Sequence, residues 1–335
     1  MLGIEPTSDA AGDTRGSNQA HVTIVDCDHA SVDIERAVLA DLCPDVPWLH
    51  CKTEDEVIAH CANSAGLLIM YAPMTRRVMA QLPHCKVIVR YGVGVDTVDL
   101  AAAAELCIVV SNVPDYGTQE VSDHALAMML CLTRKIAYAS SRVKNGQWDF
   151  RLMRPIHRHE TLSIGILGIG RIGSAMAHKT HALGMKVLAH DPFVDPKSCA
   201  DYVEFVSLED LLQRSDVVSV HCPLNDSTRY VLDETRLRLM KPTAYLINTA
   251  RGSIVDEAAL NNMLEAKLLA GAALDVLSSE PGSAVHPLFK HENFLVSPHM
   301  AWHSEESAQE LKRKAAEETC RVLRGEAPLY QVNKF

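Results

Sequence analysis

The run Ser163-Ile164-Gly165-Ile166-Leu167-Gly168-Ile169-Gly170-Arg171-Ile172-Gly173 constrains this chain more than any other stretch, and it starts near the middle of 335 residues. Its apolar beginning reads as a buried strand, its glycines as a tight turn, and the residues from Arg171 onward as a helix. Gly168 permits the turn out of the strand. Gly170 removes a side chain where a ligand must approach the backbone, and Gly173 lets the helix pack close to the strand. The helix amino terminus at Arg171 and Ile172 presents unpaired N–H groups and the positive end of a dipole, which suits phosphates. Such a strand, turn and helix open a dinucleotide-binding unit. Its late start implies that another domain is built first.

The residues that follow extend this reading. A helix over Ile172–Leu183 is followed by Gly184 and a second apolar strand, Lys186–His190, which runs into Asp191, 18 residues after Gly173. An acid at this place accepts hydrogen bonds from ribose hydroxyls and repels a 2′-phosphate, which favours NAD over NADP. Asp191-Pro192 also reads as an ordinary turn after a strand, and both readings can hold.

The length predicts two domains. Hydrophobic residues make up 47% and charged residues 22% of the chain, as in ordinary globular proteins, and a net charge of −10 argues against nucleic acid as the main partner. No apolar run reaches the length of a membrane span. Residues 1–20 are rich in Ser, Gly, Asp and Thr and read as a disordered tail. The ten cysteines form no C-x-x-C pair, and the sixteen histidines show no zinc-type spacing. Reduced thiols in a cytoplasmic protein without a metal are therefore expected.

Before the fingerprint, strands are predicted at Val22–Val25, Trp48–Cys51, Leu67–Met70, Val87–Arg90 and Ile108–Ser111. Helices are predicted between them at Ser31–Leu42, Glu54–Ala62, Thr75–Gln81 and Thr97–Leu106. This alternation specifies a parallel, flavodoxin-like open sheet. After Pro114–Gly117 comes one long helix, Gln119 to about Asn145, which reads as a spine or dimer contact, and then a linker, Trp148–Glu160. The second half places strands at Val217–Val220, Tyr245–Asn248, Gly271–Leu274 and Asn293–Val296, with helices at Leu208–Arg214, Thr235–Met240 and Glu257–Leu264. A last helix, Glu305–Arg324, could return to the first domain.

Three polar residues fall just after strands of this second half: Arg251, Glu280 and His299. Ligands of open α/β sheets bind at such strand ends. Hydride transfer to a carbonyl needs a cation for the substrate carboxylate and carbonyl oxygen, which a guanidinium provides as a fixed fork. It needs a proton donor, which imidazole provides, and a carboxylate beside the imidazole sets its tautomer and favours its charged form. Singly, Arg251-Gly252 also reads as a turn and Glu280-Pro281 as a solvated loop. Together, after successive strands of a nucleotide-binding sheet, the three form a site.

At these residues the chain resembles the D-isomer specific 2-hydroxyacid dehydrogenase family, in its phosphoglycerate dehydrogenase and C-terminal-binding protein-like branch. The resemblance rests on Arg90–Asp96, Gly168–Gly173, Asn248–Glu257, Ala273–Val276 with Glu280-Pro281, and Ser297–Trp302, with Thr118–His124 supporting the branch. It implies that Arg251, Glu280 and His299 are catalytic. It further implies that Arg171 and Ile172 hold the pyrophosphate, that Asp191 takes the ribose, and that Cys222, Thr249, Ala250 and Asp275 line the cofactor, with Asp275 on the nicotinamide amide. The loop Tyr91, Gly92, Val93 and Gly94 would offer N–H groups to the substrate carboxylate. Two-domain closure and homodimers through the 119–145 region are implied as well.

Tyr91 stands where relatives often carry a small residue, and Trp302 adds an aromatic surface beside the catalytic histidine. Either they narrow the pocket toward a keto acid with an apolar or thioether side chain, or they only pack a domain interface. Arg90 either meets a distal acidic group of the substrate or forms a structural ion pair. The fold expected is therefore two doubly wound parallel-sheet α/β domains, with a Rossmann NAD-binding domain (118–304) inserted in a discontinuous flavodoxin-like substrate domain (21–117 plus 305–335). The activity expected is interconversion of a 2-keto acid and a D-2-hydroxy acid. The alternative is an NADH-sensing dimeric interaction protein with secondary dehydrogenase activity. Formate-oxidising relatives pair their histidine with glutamine, so Glu280 argues against that chemistry.

Overall fold

The computed structural model describes residues 20–335, so the reading of residues 1–20 lies, Ala20 apart, outside the described residues. The chain forms two compact units, one from residues up to Val89, Leu100–Ser111 and Ala316–Phe335, the other from Arg90–Asp99 and Asn112–Ala315.

The first unit carries a four-stranded parallel sheet in the order β1 (Val22–Ile24), β2 (Gly66–Ile69), β3 (Val87–Arg90) and β4 (Val109–Ser111). Its strands are short apolar runs, and β1 and β2 are buried at every position, as strands covered on both faces must be. The helix Glu54–Cys61 starts at a capping box in which Thr53 and Glu56 satisfy each other's backbone N–H groups. The strand expected at Trp48–Cys51 is reduced to a single parallel bridge between Ile24 and Trp48. It sits on the open edge of β1 and completes the flavodoxin-like order with one residue pair. At the other edge Gln331 bridges antiparallel to Ser111, and the Asn333 side chain binds the backbone of Ile108 and Val110.

The second unit is built on a seven-stranded parallel sheet. Its strands are β5 (Ser163–Leu167), β6 (Lys186–His190), β7 (Val203–Phe205), β8 (Val217–Val220), β9 (Tyr245–Asn248), β10 (Gly271–Leu274) and β11 (Phe294–Val296). Their spatial order is β11-β10-β9-β8-β5-β6-β7, so the order reverses between β5 and β8. Alternate side chains serve opposite layers. Val218, Leu246 and Leu274 pack under the helices Leu208–Arg214 and Glu257–Glu265, while Val217, Ile247 and Ala273 pack with Met129 and Met176 on the other face. This is the doubly wound Rossmann arrangement. The strand β7 escapes the sequence reading, since a three-residue edge strand has no burial pattern to announce it.

Two expectations need correction. The single helix over 119–145 is two helices, Thr118–Thr133 and Ile136–Lys144, broken where Lys135 adopts a left-handed φ of 55°. Apolar burial explains the break. The first helix buries Ala125, Met128, Met129 and Leu132, whereas the second buries no residue. The domain limits also shift, because residues 90–99, 112–117 and 305–315 group with the second unit. Local bonds account for this: Val113 N–H donates to Gly92, Asn112 to the Val93 carbonyl, and Ser304 to Glu120. Among the described residues no helix is long and apolar enough to cross a membrane.

Candidate active site

The turn after β5 lies where the sheet order reverses. Gly168 has φ +91°, and a Cβ on it would come within 2.6 Å of the Cys222 backbone nitrogen. A Cβ on Gly173 would fall on the Gly168 carbonyl oxygen. Gly170 differs: no other part of the chain lies within 4 Å of where its Cβ would be. The protein itself does not require a glycine there, so the bare position suits a ligand, and the helix Arg171–Ala182 begins immediately after it. Asp191, following β6, accepts hydrogen bonds from the N–H groups of Ile169 and Phe193, both at 3.0 Å, which aims its carboxylate at the same turn. Beside β9, the Thr249 hydroxyl is buried without a protein partner. An orphaned hydroxyl, a bare glycine and a helix terminus together fit a dinucleotide. Cys222 is buried, and burial pushes its thiol up to about 12, so it serves as packing rather than as a nucleophile.

The next residue toward β8, His221, bonds the Ser219 hydroxyl at 2.8 Å, and burial pushes its imidazole down to about 4. Between the ordinary value of 6.5 and about 4 the unfolded chain holds a proton that the folded chain refuses. Stability due to this residue is therefore complete above 6.5 and is lost as pH falls toward 4, by at most roughly 3 kcal/mol. His221→Gln should shrink the drop in thermal midpoint between neutral and mildly acid buffer. An unchanged drop would count against the assignment.

The catalytic candidates follow β9, β10 and β11. The Asn248 side chain donates to the Arg251 carbonyl at 2.8 Å and accepts from Ala250 N–H, which shapes the loop after β9. The Arg251 guanidinium donates from Nε to Asp96 at 3.1 Å and from Nη1 to the Ala250 carbonyl at 2.8 Å, and it rests against Gly94. Burial acts to raise the Asp96 carboxyl, but the Arg251 charge and hydrogen bonds outweigh it and hold that carboxyl below the ordinary range. Asp96 is the partner that the sequence reading missed, although it closes the motif quoted from Arg90.

Glu280 accepts Leu277 N–H at 2.9 Å with one oxygen and His299 Nδ1 at 2.7 Å with the other. A carboxylate only accepts, so Nδ1 carries the hydrogen and Nε2 is left for exchange. Burial pushes the Glu280 carboxyl up, yet the hydrogen bond and charge of His299, with Leu277 N–H and Arg251, bring it below its usual value. Glu257 fastens the loop bearing Glu280 by accepting from the N–H and hydroxyl of Ser278 and from His286. His299 sits at φ +53° and donates its N–H to the Asp275 carbonyl at 2.8 Å.

The expected substrate contacts divide. Tyr91 is buried to 1% and Arg90 lies against Gly92, with its charge acting on Asp96. The Tyr91 ring is therefore packed inside the fold, and Arg90 is half-buried. Gly92 (φ +116°) and Val93, 42% exposed, carry the loop backbone past Arg251's neighbour Gly94. Trp302 is half-buried, with its ring tilted against Tyr116 at 6.0 Å and His303 at 5.3 Å.

The fold and this strand-end cluster define an NAD-binding oxidoreductase. Residues 126–301 match the model of the D-isomer specific 2-hydroxyacid dehydrogenase NAD binding domain. The chain is 37% identical over 290 residues to a glyoxylate reductase of Thermofilum pendens, covering 84% of this chain and 85% of the relative. It is 34% identical to a D-3-phosphoglycerate dehydrogenase of Methanocaldococcus jannaschii over 84% of this chain and 54% of the relative. A D-lactate dehydrogenase from Aquifex aeolicus, solved with NAD and lactic acid, superposes with TM-score 0.84 at 26% identity over 91% of this chain and 96% of that one. The chain belongs to the D-isomer specific 2-hydroxyacid dehydrogenase family, and it is an NAD-dependent 2-hydroxyacid oxidoreductase.

Proposed function

We propose that this chain reduces a small 2-keto acid to the 2-hydroxy acid, with glyoxylate (giving achiral glycolate) the first candidate and the D isomer formed from any acid that carries a side chain. The observation that carries this reading is the 2.7 Å bond between Glu280 and His299, made across the loops after two neighbouring strands. Bound NADH supplies the hydride. Arg251, steadied by Asp96, turns its remaining N–H donors to the substrate carboxylate and carbonyl oxygen, and the backbone of the Tyr91–Gly94 loop assists. His299 gives the Nε2 proton to the developing alkoxide, and Glu280 stabilises the imidazolium beforehand. Gly168–Gly173, with Arg171 and Ile172, holds the pyrophosphate, Asp191 the ribose, and Thr249, Ala250 and Asp275 the nicotinamide end. The cofactor and substrate residues named here all belong to the unit that carries the seven-stranded sheet. Trp302 disfavours a phosphorylated side chain by offering an apolar ring.

The reading includes a homodimer through the 119–145 region and the segment after it. Ile136, Val143, Trp148, Phe150 and Leu152 are all exposed, Trp148 to 88%, beside a cavity of about 170 Å³ lined by Leu132, Tyr138 and Leu295. A cytoplasmic setting agrees with ten free cysteines, most of them buried. NADH consumption should be followed with glyoxylate, pyruvate, a thioether 2-keto acid and phosphohydroxypyruvate, alongside sedimentation with and without NADH. An acid without a phosphate should exceed the phosphorylated one by roughly tenfold or more in kcat/KM, and pyruvate should give the D product. NADH-dependent assembly without turnover on any acid would replace this reading with that of an interaction protein.

A further inference from the structure

The loop that carries His299 is tied to one buried carboxylate. Asp275, its side chain 1% exposed, accepts from Ser297 Oγ at 2.5 Å and Met300 N–H at 3.0 Å on one oxygen and from Ala301 N–H at 2.8 Å on the other. A carboxylate has about four acceptor directions, so three protein donors leave one, on the oxygen that Ala301 shares. Behind this group stands His124, from the middle of the helix Thr118–Thr133. Its Nε2 lies 2.9 Å from Ser297 Oγ and 3.7 Å from the Asp275 carboxylate. The Ser297 hydrogen is already committed to Asp275, so the hydroxyl oxygen can only accept, and His124 must donate from Nε2.

We infer that His124 is a positioning residue for the nicotinamide end of the cofactor. It orients Ser297, which holds the Asp275 carboxylate with one acceptor direction turned to the nicotinamide amide. The same carboxylate fixes the backbone of 300–301, and its carbonyl fixes His299, so the nicotinamide contact and the proton donor share one anchor. The chain separation explains the device. Asp275 follows β10 and Ser297 follows β11, and a helix from 173 positions earlier closes the network from the outside. Without it Ser297 could rotate, and Asp275 would lose one of the three bonds that set its plane. This inference rests on the reading of Asp275 as a nicotinamide contact.

The test compares NADH with ADP-ribose, which lacks the nicotinamide, by fluorescence and calorimetric titration. His124→Leu should weaken NADH about tenfold, the loss expected for one hydrogen bond in a buried network, while ADP-ribose affinity stays within about twofold. His124→Gln, which can return a donor to the Nε2 position, should restore NADH affinity to within about threefold. With glyoxylate the Leu variant should lose kcat rather than raise the KM for the acid. Equal NADH affinity in the Leu variant, a parallel loss of ADP-ribose, or a Gln variant as weak as Leu would overturn the inference. Wild-type protein that binds ADP-ribose and NADH equally would instead remove the nicotinamide reading on which it rests.

Discussion

His299→Gln should lower kcat for 2-keto acid reduction by about 10²–10⁴-fold, the usual worth of a positioned general acid, while NADH binds with an affinity within about twofold of wild type. The geometry dictates both halves. His299 bonds Glu280 through Nδ1 and presents Nε2 as its exchangeable site, whereas a glutamine amide can bond Glu280 but releases no proton near neutrality. The proposed cofactor cradle, the Gly168–Gly173 turn with Asp191 and Thr249, does not include the imidazole. Glu280 is held below its ordinary 4.5 chiefly by His299 acting against burial, so the carboxylate stays charged across the neutral range. Stability from the lowered Glu280 carboxyl is complete above its unfolded value and is lost as pH falls through the folded one. Stopped-flow turnover beside NADH titration checks the prediction, and turnover within threefold of wild type would remove His299 from its role.

The second large effect separates two glycines three positions apart. Gly173→Val should prevent stable folding of the second unit, because its Cβ would land on the Gly168 carbonyl oxygen, a backbone atom that cannot turn aside. A clash of this kind inside a packed strand–helix contact costs roughly 3 kcal/mol or more. Gly170→Val should leave stability within about 1 kcal/mol, since φ there is −67° and no residue beyond its chain neighbours lies within 4 Å of the added Cβ. It should nevertheless weaken NADH by about 100-fold or more, because the new side chain stands at the helix terminus offered to the phosphates. Thermal melts and NADH titration on both variants read the two effects independently. Wild-type NADH affinity in Gly170→Val would show that the phosphates do not approach this backbone.

Much of this molecule is legible from neighbouring residues. Strands such as Lys186–His190 and Val217–Val220 are apolar runs ended by turn chemistry, and they are found where the runs occur. The glycine spacing identifies the cofactor turn because the demands on Gly168, Gly170 and Gly173 arise within six residues. Arg251, Glu280 and His299 are visible because each follows a strand that can be read locally. The break at Lys135 was not legible: Ile136–Lys144 is a good helical sequence, and only the end of available core at Leu132 and Thr133 stops the first helix. Likewise Trp48–Cys51 has strand composition, but the sheet edge grants it one bridge.

The sequence by itself determined most strands of the two sheets, the glycine turn and the three candidate residues of the reaction, because these depend on periodicity and turn chemistry within a few positions. Only the tertiary structure decided that Asp96 would hold Arg251, that Tyr91 would be buried, and that His124 would stand behind Ser297 and Asp275. Those pairings join residues between 22 and 173 positions apart. No local rule reaches that far, since a hydrogen bond is set by where the strand order places two loops, and the strand order is a property of the whole sheet.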